Sequence, residues 1–344
     1  MTSLPAGLPA DSHVHSEFSW DTGGPDSAAR GTMRATCARA VEIGLPALFF
    51  TEHLDLEDAW FTDLEDFADH ERHLVGEDGV VAVPRFDVEG YLEEIDRCRA
   101  DFPALRIGTG LELGQPGLRL DAARAQLDLS AFDRIIGSLH TVPLERPSAD
   151  GETAGEEQSA DGARTPRPEH RAEPNTLFRR RPALEVIRDY LAEVPAQVAG
   201  EGPHEVVTHL DYAVRYWPEE VEGPFDPRPL EEELRGAMRA IAASGRALEI
   251  NTRRLRPWIP QWWAEEGGEA ISFGSDSHTP LALAANFPEA TALGYAMPLL
   301  TVIFAGMFLA EPVRGFRLSM VAIGLVGVLI VLSPRLSVGA GSVT

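Results

Sequence analysis

From residue 32 onward the chain keeps returning to one compound pattern: apolar residues at helical spacing, a turn, then a short continuous apolar run. Over 32–50, TMRATCARAVEIGLPALFF, Ala, Val and Ile recur at helical spacing before a Gly-Leu-Pro turn and a buried run. The spacing predicts a helix feeding a strand. The unit returns over about 89–112, where VEGYLEEIDRCRADFP leads into LRIGTGLE, over about 182–208, where PALEVIRDYLAEV leads into HEVVTH, and over about 229–250, where PLEEELRGAMRAIAASG leads into RALEIN. Short apolar runs alternating with longer helical patterns predict a mostly parallel sheet with helices outside it, and the even spacing favours a closed or nearly closed barrel.

Three stretches break the pattern. Residues 54–80 are acidic yet carry Trp60, Phe61 and Phe67, which predicts a long excursion with one apolar face, placed directly after His53 to act as a lid over a cleft. Residues 145–175 are rich in Pro, Glu, Gly, Ser and Asp, with too few apolar groups to offset the entropy of ordering them, so a mobile acidic loop is expected. From Ala292 to Ala310 the chain carries no charge, and after EPVRGFR comes LSMVAIGLVGVLIVLS. These two runs predict an apolar, transmembrane helical hairpin over 291–335 and association with a membrane, following a catalytic domain over 8–290.

Composition narrows the partners. A formal charge of -24 makes long nucleic acid an unfavourable partner, although it leaves room for a small phosphorylated metabolite. Cys37 and Cys98 both fall inside predicted helices, which argues for packing rather than a disulfide framework or a thiolate zinc site. The first residues, MTSLPAGLPADSH, lack the basic flank and apolar core of a signal peptide, and the catalytic part is therefore expected in the cytoplasm.

The chemistry sits where the apolar runs end. His13 and His15 in DSHVHSEFSWD lie two apart, so on a strand both imidazoles point to one side and can share an ion, with Asp11 and Ser16 near enough to orient a ring. Asp21 follows in SWDTGG, where a glycine turn can return its carboxylate to the same pocket. His53 ends PALFFTEH, Glu112 follows IGTGL, His140 and His209 each follow an apolar run, and Asp276 and His278 close ISFGSDSH. A buried carboxylate such as Glu112 is costly unless paired, and bridging two cations with its two oxygens keeps it ionised. His70 and His73 read as surface histidines, and His170 and His204 fall in loop-like sequence without a role.

Taken together, DSHVHSEFSWD, TEHLD, GTGLELG, IGSLH, THLD, LEINT and FGSDSH resemble the motifs of the PHP family, the polymerase and histidinol phosphatase domains, and within it the histidinol-phosphatase branch. The resemblance implies an α/β fold, a distorted (β/α)7 barrel with a trinuclear metal cluster at the carboxyl ends of its strands, acting on phosphoesters. It implies that His13, His15, Glu112 and Asp276 surround one ion, that Glu112 bridges to a second held by His140 and His209, and that Asp21, His53 and His278 surround a third. Two or three divalent ions are expected, and nitrogen and oxygen ligands suit zinc, manganese or iron. Family members usually add a soluble helix after the last strand, which the apolar tail would replace. That tail resembles the last two helices of an EamA-type drug/metabolite transporter.

The expected reaction is hydrolysis of a phosphomonoester, L-histidinol phosphate to L-histidinol and phosphate in histidine biosynthesis, by a metal-activated water with Glu112 and Asp276 at the reacting centre. Asp211, two past His209, is a candidate proton donor or orienter. Arg253, Arg254 and Arg215 are candidate phosphate clamps, because guanidinium forks match phosphate geometry. Trp258, Trp262 and Trp263 either line a ring pocket or pack against the barrel. The alternatives are a phosphodiesterase or nucleotide phosphatase of the same family, and a noncatalytic membrane-tethered module.

Overall fold

A computed structural model describes residues 9–23, 31–145 and 170–292. Its strands are β1 (Asp11–Val14), β2 (Ala47–Leu54), β3 (Arg106–Gly114), β4 (Arg134–Ser138), β5 (Val142–Pro143), β6 (Arg171–Ala172), β7 (Val206–Val207), β8 (Ala247–Asn251) and β9 (Ile271–Gly274). The helices are α1 (Met33–Ile43), α2 (Val88–Asp101), α3 (Pro116–Gln126), α4 (Pro174–Phe178), α5 (Ala183–Val198), α6 (Glu219–Glu222), α7 (Glu231–Ala243) and α8 (Trp258–Glu265). A seven-stranded sheet runs in the order β1-β2-β3-β4-β7-β8-β9, and every neighbouring pair is parallel. Its strands are buried on both faces, which is why they read as continuous apolar runs rather than alternating ones.

Local chemistry agrees with this layout. Helix α1 starts where the Thr32 hydroxyl accepts from the Ala35 amide and stops at Gly44, whose left-handed φ of 75° lets its N–H reach the Ala40 and Val41 carbonyls. Helix α7 opens on three glutamates, favourable at the positive end of the helix dipole, and buries Leu234, Ala237, Met238 and Ile241 at helical spacing.

The sheet nearly closes into a barrel. Val14 bridges Ser277 in parallel, the Asp276 amide donates to the His13 carbonyl at 2.8 Å, and the His15 amide donates to the Ser277 carbonyl at 2.8 Å. Asp11 belongs to this seam rather than to an imidazole. Its carboxylate accepts from the Ser275 amide at 2.8 Å and the Ala284 amide at 3.0 Å. The expected orienting role therefore fails for Asp11, because both of its oxygens are occupied by backbone.

Residues 54–80 form a wall built of short turns, with 3-10 helices at Leu64–Asp66 and Arg72–Leu74. Trp60, Phe67, Leu74 and Val81 make a small apolar cluster of their own against Trp20. The wall is tied to β6 by the Phe61 amide, which donates to the Arg171 carbonyl at 2.7 Å, and by the Arg171 amide, which donates to the Ala59 carbonyl at 2.8 Å.

Two sequence boundaries shift. Of the loop expected over 145–175, residues 146–169 lie outside the described residues, but 170–175 are built into the fold. The Arg171 guanidinium donates to the Thr141 carbonyl at 2.8 Å and the Glu193 carboxylate at 2.9 Å, and β6 pairs antiparallel with β5. Polar composition concealed these anchors because they are made by one arginine and by backbone. At the other end, residues 287–292 are helical, with Phe287, Ala290, Thr291 and Ala292 buried. Helical residues thus do follow the last strand, and Phe287 packs against Phe273, so the packed unit passes the expected boundary at 290. The hairpin expected over 291–335 otherwise lies outside the described residues, and among those described no helix is long and apolar enough to cross a membrane.

Candidate metal centre

The carboxyl ends of the strands open into a cavity of about 460 Å³, and the side chains that the sequence leaves at those ends meet on its floor. His13 and His15 leave β1 on the same side, and their Nε2 atoms stand 3.0 Å apart. Both nitrogens converge on the same two carboxylate oxygens. Glu112 Oε2 is 3.2 Å from His13 and 3.3 Å from His15, and Asp276 Oδ1 is 3.6 and 3.4 Å from them. Glu112 is held on β3 with its other oxygen, Oε1, 2.9 Å from His209 Nε2, 3.3 Å from His140 Nε2 and hydrogen-bonded by the Ser138 hydroxyl. His53 Nδ1 lies 3.1 Å from Glu112 Oε2, and Asp21 Oδ2 reaches His278 Nε2 at 2.8 Å and His53 Nε2 at 3.5 Å. The nine residues named from the sequence are thus brought to one place.

Such a set fits cations. Two ring nitrogens facing one another at hydrogen-bond distance, both aimed at carboxylate oxygens, are arranged as ligands. Donor atoms close enough to share an ion occur in the groups His13–His15–Asp276, His13–Glu112–His209, His15–His53–His278 and His53–Asp55–His140. The last two groups differ from the expected allotment: His15 leans toward His53 and His278, and Asp55 joins His53 and His140.

The electrostatics follow from crowding. Burial alone would raise Glu112, but the imidazoles of His13, His53 and His140 outweigh it and hold the carboxyl well below its ordinary value. Asp276 is likewise held well below by Arg215 and His13 against the opposing effect of burial. His15 and His209 are lowered, first by burial and then by His278 beside His15 and Arg215 beside His209.

Backbone geometry makes room for these groups. Asp276 sits at φ 51°, a left-handed conformation that a short polar side chain tolerates better than most. A Cβ on Gly274 would lie 2.5 Å from His13 Cβ and 2.7 Å from Glu249 Oε2, so that strand position must stay bare.

Glu249, Asp55, Ser19 and Glu52 complete the floor, and sequence reasoning missed them. Glu249 Oε2 is 2.6 Å from His13 Nδ1, Ser19 Oγ is 2.9 Å from His15 Nδ1, and Asp55 Oδ1 is 3.0 Å from His140 Nδ1. Each fixes the second nitrogen of a ring whose first nitrogen faces the centre. Ser16 instead donates to Glu52, which also accepts from Ser19. A signal existed for two of them: Asp55 follows His53 by two in TEHLD, and Glu249 interrupts the apolar strand LEI.

The arginines divide. Arg215 donates from Nη1 to Asp276 Oδ2 at 2.6 Å, while its buried Nε and Nη2 have no hydrogen-bond partner among the described residues. Arg253 donates to the Asp276 carbonyl at 2.9 Å, and Arg254 to the Arg215 carbonyl at 3.3 Å; all three line the cavity. Asp211 does not line it. The turn after His209 points Tyr212 inward and leaves Asp211 buried behind, 3.5 Å from Arg256. Trp258, Trp262 and Trp263 are also off the cavity, and Trp263 donates to the Ala270 carbonyl at 3.1 Å. The aromatic lining comes from Trp20, Trp60, Phe67, Tyr212 and Tyr216 instead. Of the histidines set aside, His70 reaches the Asp21 carbonyl at 3.0 Å, and His170 is buried against Phe61.

A parallel, nearly closed seven-stranded barrel with this histidine and carboxylate floor defines a metal-dependent hydrolase type. The model of the PHP domain family matches residues 11–253, and the chain belongs to that family. It is similar to the histidinol-phosphatase of Lactococcus lactis subsp. lactis (strain IL1403), with 27% identity over 283 residues, covering 78% of this chain and 83% of the relative. It also resembles a probable histidinol-phosphatase of Clostridium acetobutylicum, 21% identical over 305 residues, 86% of this chain and 96% of the relative. Among solved structures, the L. lactis histidinol phosphate phosphatase complexed with zinc, L-histidinol and phosphate shares the fold at TM-score 0.57 and 23% identity, covering 83% of this chain and 92% of that one. A putative histidinol phosphatase from Listeria monocytogenes aligns at TM-score 0.54 and 16% identity, covering 82% and 99%.

Proposed function

We propose that the chain is a histidinol-phosphatase, a phosphoric monoester hydrolase that converts L-histidinol phosphate to L-histidinol and phosphate. The observation that carries this is the convergence of His13 and His15 on Glu112 and Asp276 beside an arginine with two buried donors to spare. The L. lactis relative, whose structure holds zinc, histidinol and phosphate, supports the substrate and the use of zinc, and manganese or iron suit the same donors. Divalent ions, when bound, acidify water and offset charge on phosphoryl oxygens.

The chain's own residues prepare that chemistry. His13, His15, Glu112 and Asp276 would hold one ion, Glu112 with His140 and His209 a second, and Asp21, His53 and His278 a third. Glu249, Ser19 and Asp55 fix ring orientation. Arg215 offers a fork to phosphate oxygens while its other arm steadies Asp276, and Arg253 and Arg254 add charge at the same edge. Asp211 acts as a positioning residue: it favours the charge of Arg215 from behind and lies outside the cavity. The barrel unit carries the activity, and the segment from 293 onward is dispensable for it.

Phosphate release compared across histidinol phosphate, sugar phosphates, nucleoside monophosphates and a dinucleotide tests the assignment. The highest specificity constant is expected for histidinol phosphate. A dinucleotide in that place would make the chain a phosphodiesterase.

A further inference from the structure

The cavity carries a second kind of lining. Beside the metal-binding side chains stand the rings of Trp20, Trp60 and Phe67 and the carboxylates of Asp66, Glu71 and Glu173. Two of these carboxylates are already engaged. Asp66 pairs with Arg179 and accepts from the Thr176 hydroxyl at 2.8 Å, and Glu71 accepts from the Ala68 amide at 2.8 Å and lies 3.2 Å from His70 Nε2.

Glu173 is different. Its Oε1 accepts from the Tyr212 hydroxyl at 2.7 Å, and among the described residues no arginine or histidine pairs with it. Its backbone is fixed, since it caps α4 directly after β6 and its carbonyl accepts from the Leu177 amide at 3.2 Å. Burial pushes its carboxyl up to about 7, against the pull of the Tyr212 hydroxyl toward the ionised form. A partly desolvated carboxylate without a cation is costly to keep charged, and a ligand that brings the cation removes that cost.

Tyr212 links this carboxylate to the phosphate edge. Its ring packs 5.0 Å from His209 and 5.2 Å from His140, the Arg215 guanidinium lies 5.2 Å from the ring centroid, and its hydroxyl holds Glu173. A cationic donor and a carboxylate with no ion-pair partner among the described residues, only the more distant imidazole of His140, are therefore arranged around one tyrosine. We infer that Glu173, held by Tyr212, is the specificity-determining residue that receives a protonated amine on the alcohol part of the phosphomonoester. The inference rests on the hydrolase reading given above and names how that site chooses its substrate. A sugar phosphate offers no cation and leaves Glu173 unpaired, which is a penalty against the wrong substrate as well as a gain for the right one.

The test uses the full-length, zinc-loaded protein and two substrates that differ in one group: L-histidinol phosphate and its des-amino analogue, 3-(imidazol-4-yl)propyl phosphate. The unsubstituted enzyme is expected to prefer the aminated substrate by on the order of 100-fold in kcat/KM, and Glu173→Gln to bring that ratio near unity, because the amide keeps the shape and loses the charge. Glu173→Asp should restore part of the ratio. Calorimetric titration with L-histidinol alone gives a readout independent of turnover, with binding weakened in Glu173→Gln. A ratio in Glu173→Gln equal to that of the unsubstituted enzyme, with unchanged histidinol binding, overturns the inference. If the unsubstituted enzyme hydrolysed neither substrate yet bound histidinol through Glu173, the amine site would stand and the hydrolase reading would fall.

Discussion

Strand β7 is flanked by two buried histidines, and they have opposite surroundings. His209, past the carboxyl end, stands 2.9 Å from Glu112, with the rings of His13 and His140 5.7 and 5.5 Å away. His204, before the amino end, pairs with no carboxylate among the described residues; burial and the nearby Arg246 push it down to about 4, and it lines a small cavity with Gln197, Tyr190 and Val194. Both residues are buried, so exposure at the surface does not distinguish them. What differs is convergence: at the carboxyl ends, strands from the whole barrel aim polar side chains at one point, whereas at the amino ends a ring is simply packed.

The sharpest way to break this contrast is at Glu112, because it touches more of the cluster than any other side chain. Glu112→Gln should lower turnover of histidinol phosphate by roughly 10²–10³-fold and reduce bound metal, with the thermal melt of the metal-free protein little changed. Retention of most activity would mean that the cluster is structural. Next comes the strand itself. His209→Gln removes a ligand itself and should cost more in metal affinity than the roughly 10–100-fold typical of a residue that only supports a ligand, while His204→Gln should leave metal content intact and register only in stability. Equal metal loss in both variants, measured by elemental analysis, would erase the distinction between the two ends.

Much of this was legible in the residues, for a physical reason. Ligands at strand ends interrupt apolar runs, so each of His53, Glu112, His140, His209, Asp276 and His278 stands out against its neighbours, and the helix-then-strand unit predicts α1 with β2, α2 with β3, α5 with β7 and α7 with β8. Groups that act on ligands were harder to see. Glu249 lies within a strand whose register becomes informative only when β8 is set beside β9, and its role needs His13 from the far end of the chain. Glu173 was hidden in a polar stretch, because its placement depends on Arg171 and on a two-residue strand pair. For Asp211, offered as proton donor or orienter, spacing from His209 could not say which way the turn points, and it is the turn that keeps the carboxylate off the cavity lining.

Glu249→Gln sharpens the same point at a smaller scale. It keeps a partner for His13 Nδ1 but removes the charge, and should cost about 10–100-fold in metal affinity or activity, read as a shift in zinc titration. A smaller effect concerns pH. Glu173 faces Tyr212, His140, Asp55, Glu71 and Tyr216, and its folded-state pKa is raised to about 7. Because the ionised form binds the amine, the preference for histidinol phosphate over its des-amino analogue should rise as pH increases through about 7, and stay flat in Glu173→Gln. A preference that fell over that interval would have the wrong sign. Smallest of all, Asp211→Asn should raise KM a few-fold with kcat nearly unchanged, as expected for a group that only supports Arg215.

The outcomes read as turnover or metal affinity depend on ions being held where the strands end. The most direct measurement is the elemental metal content of the full-length protein purified without chelator. At least two divalent ions per chain are expected to resist dialysis, with a third, at Asp21, His53 and His278, lost more readily. One ion or none per chain, in protein that is folded, would contradict the account.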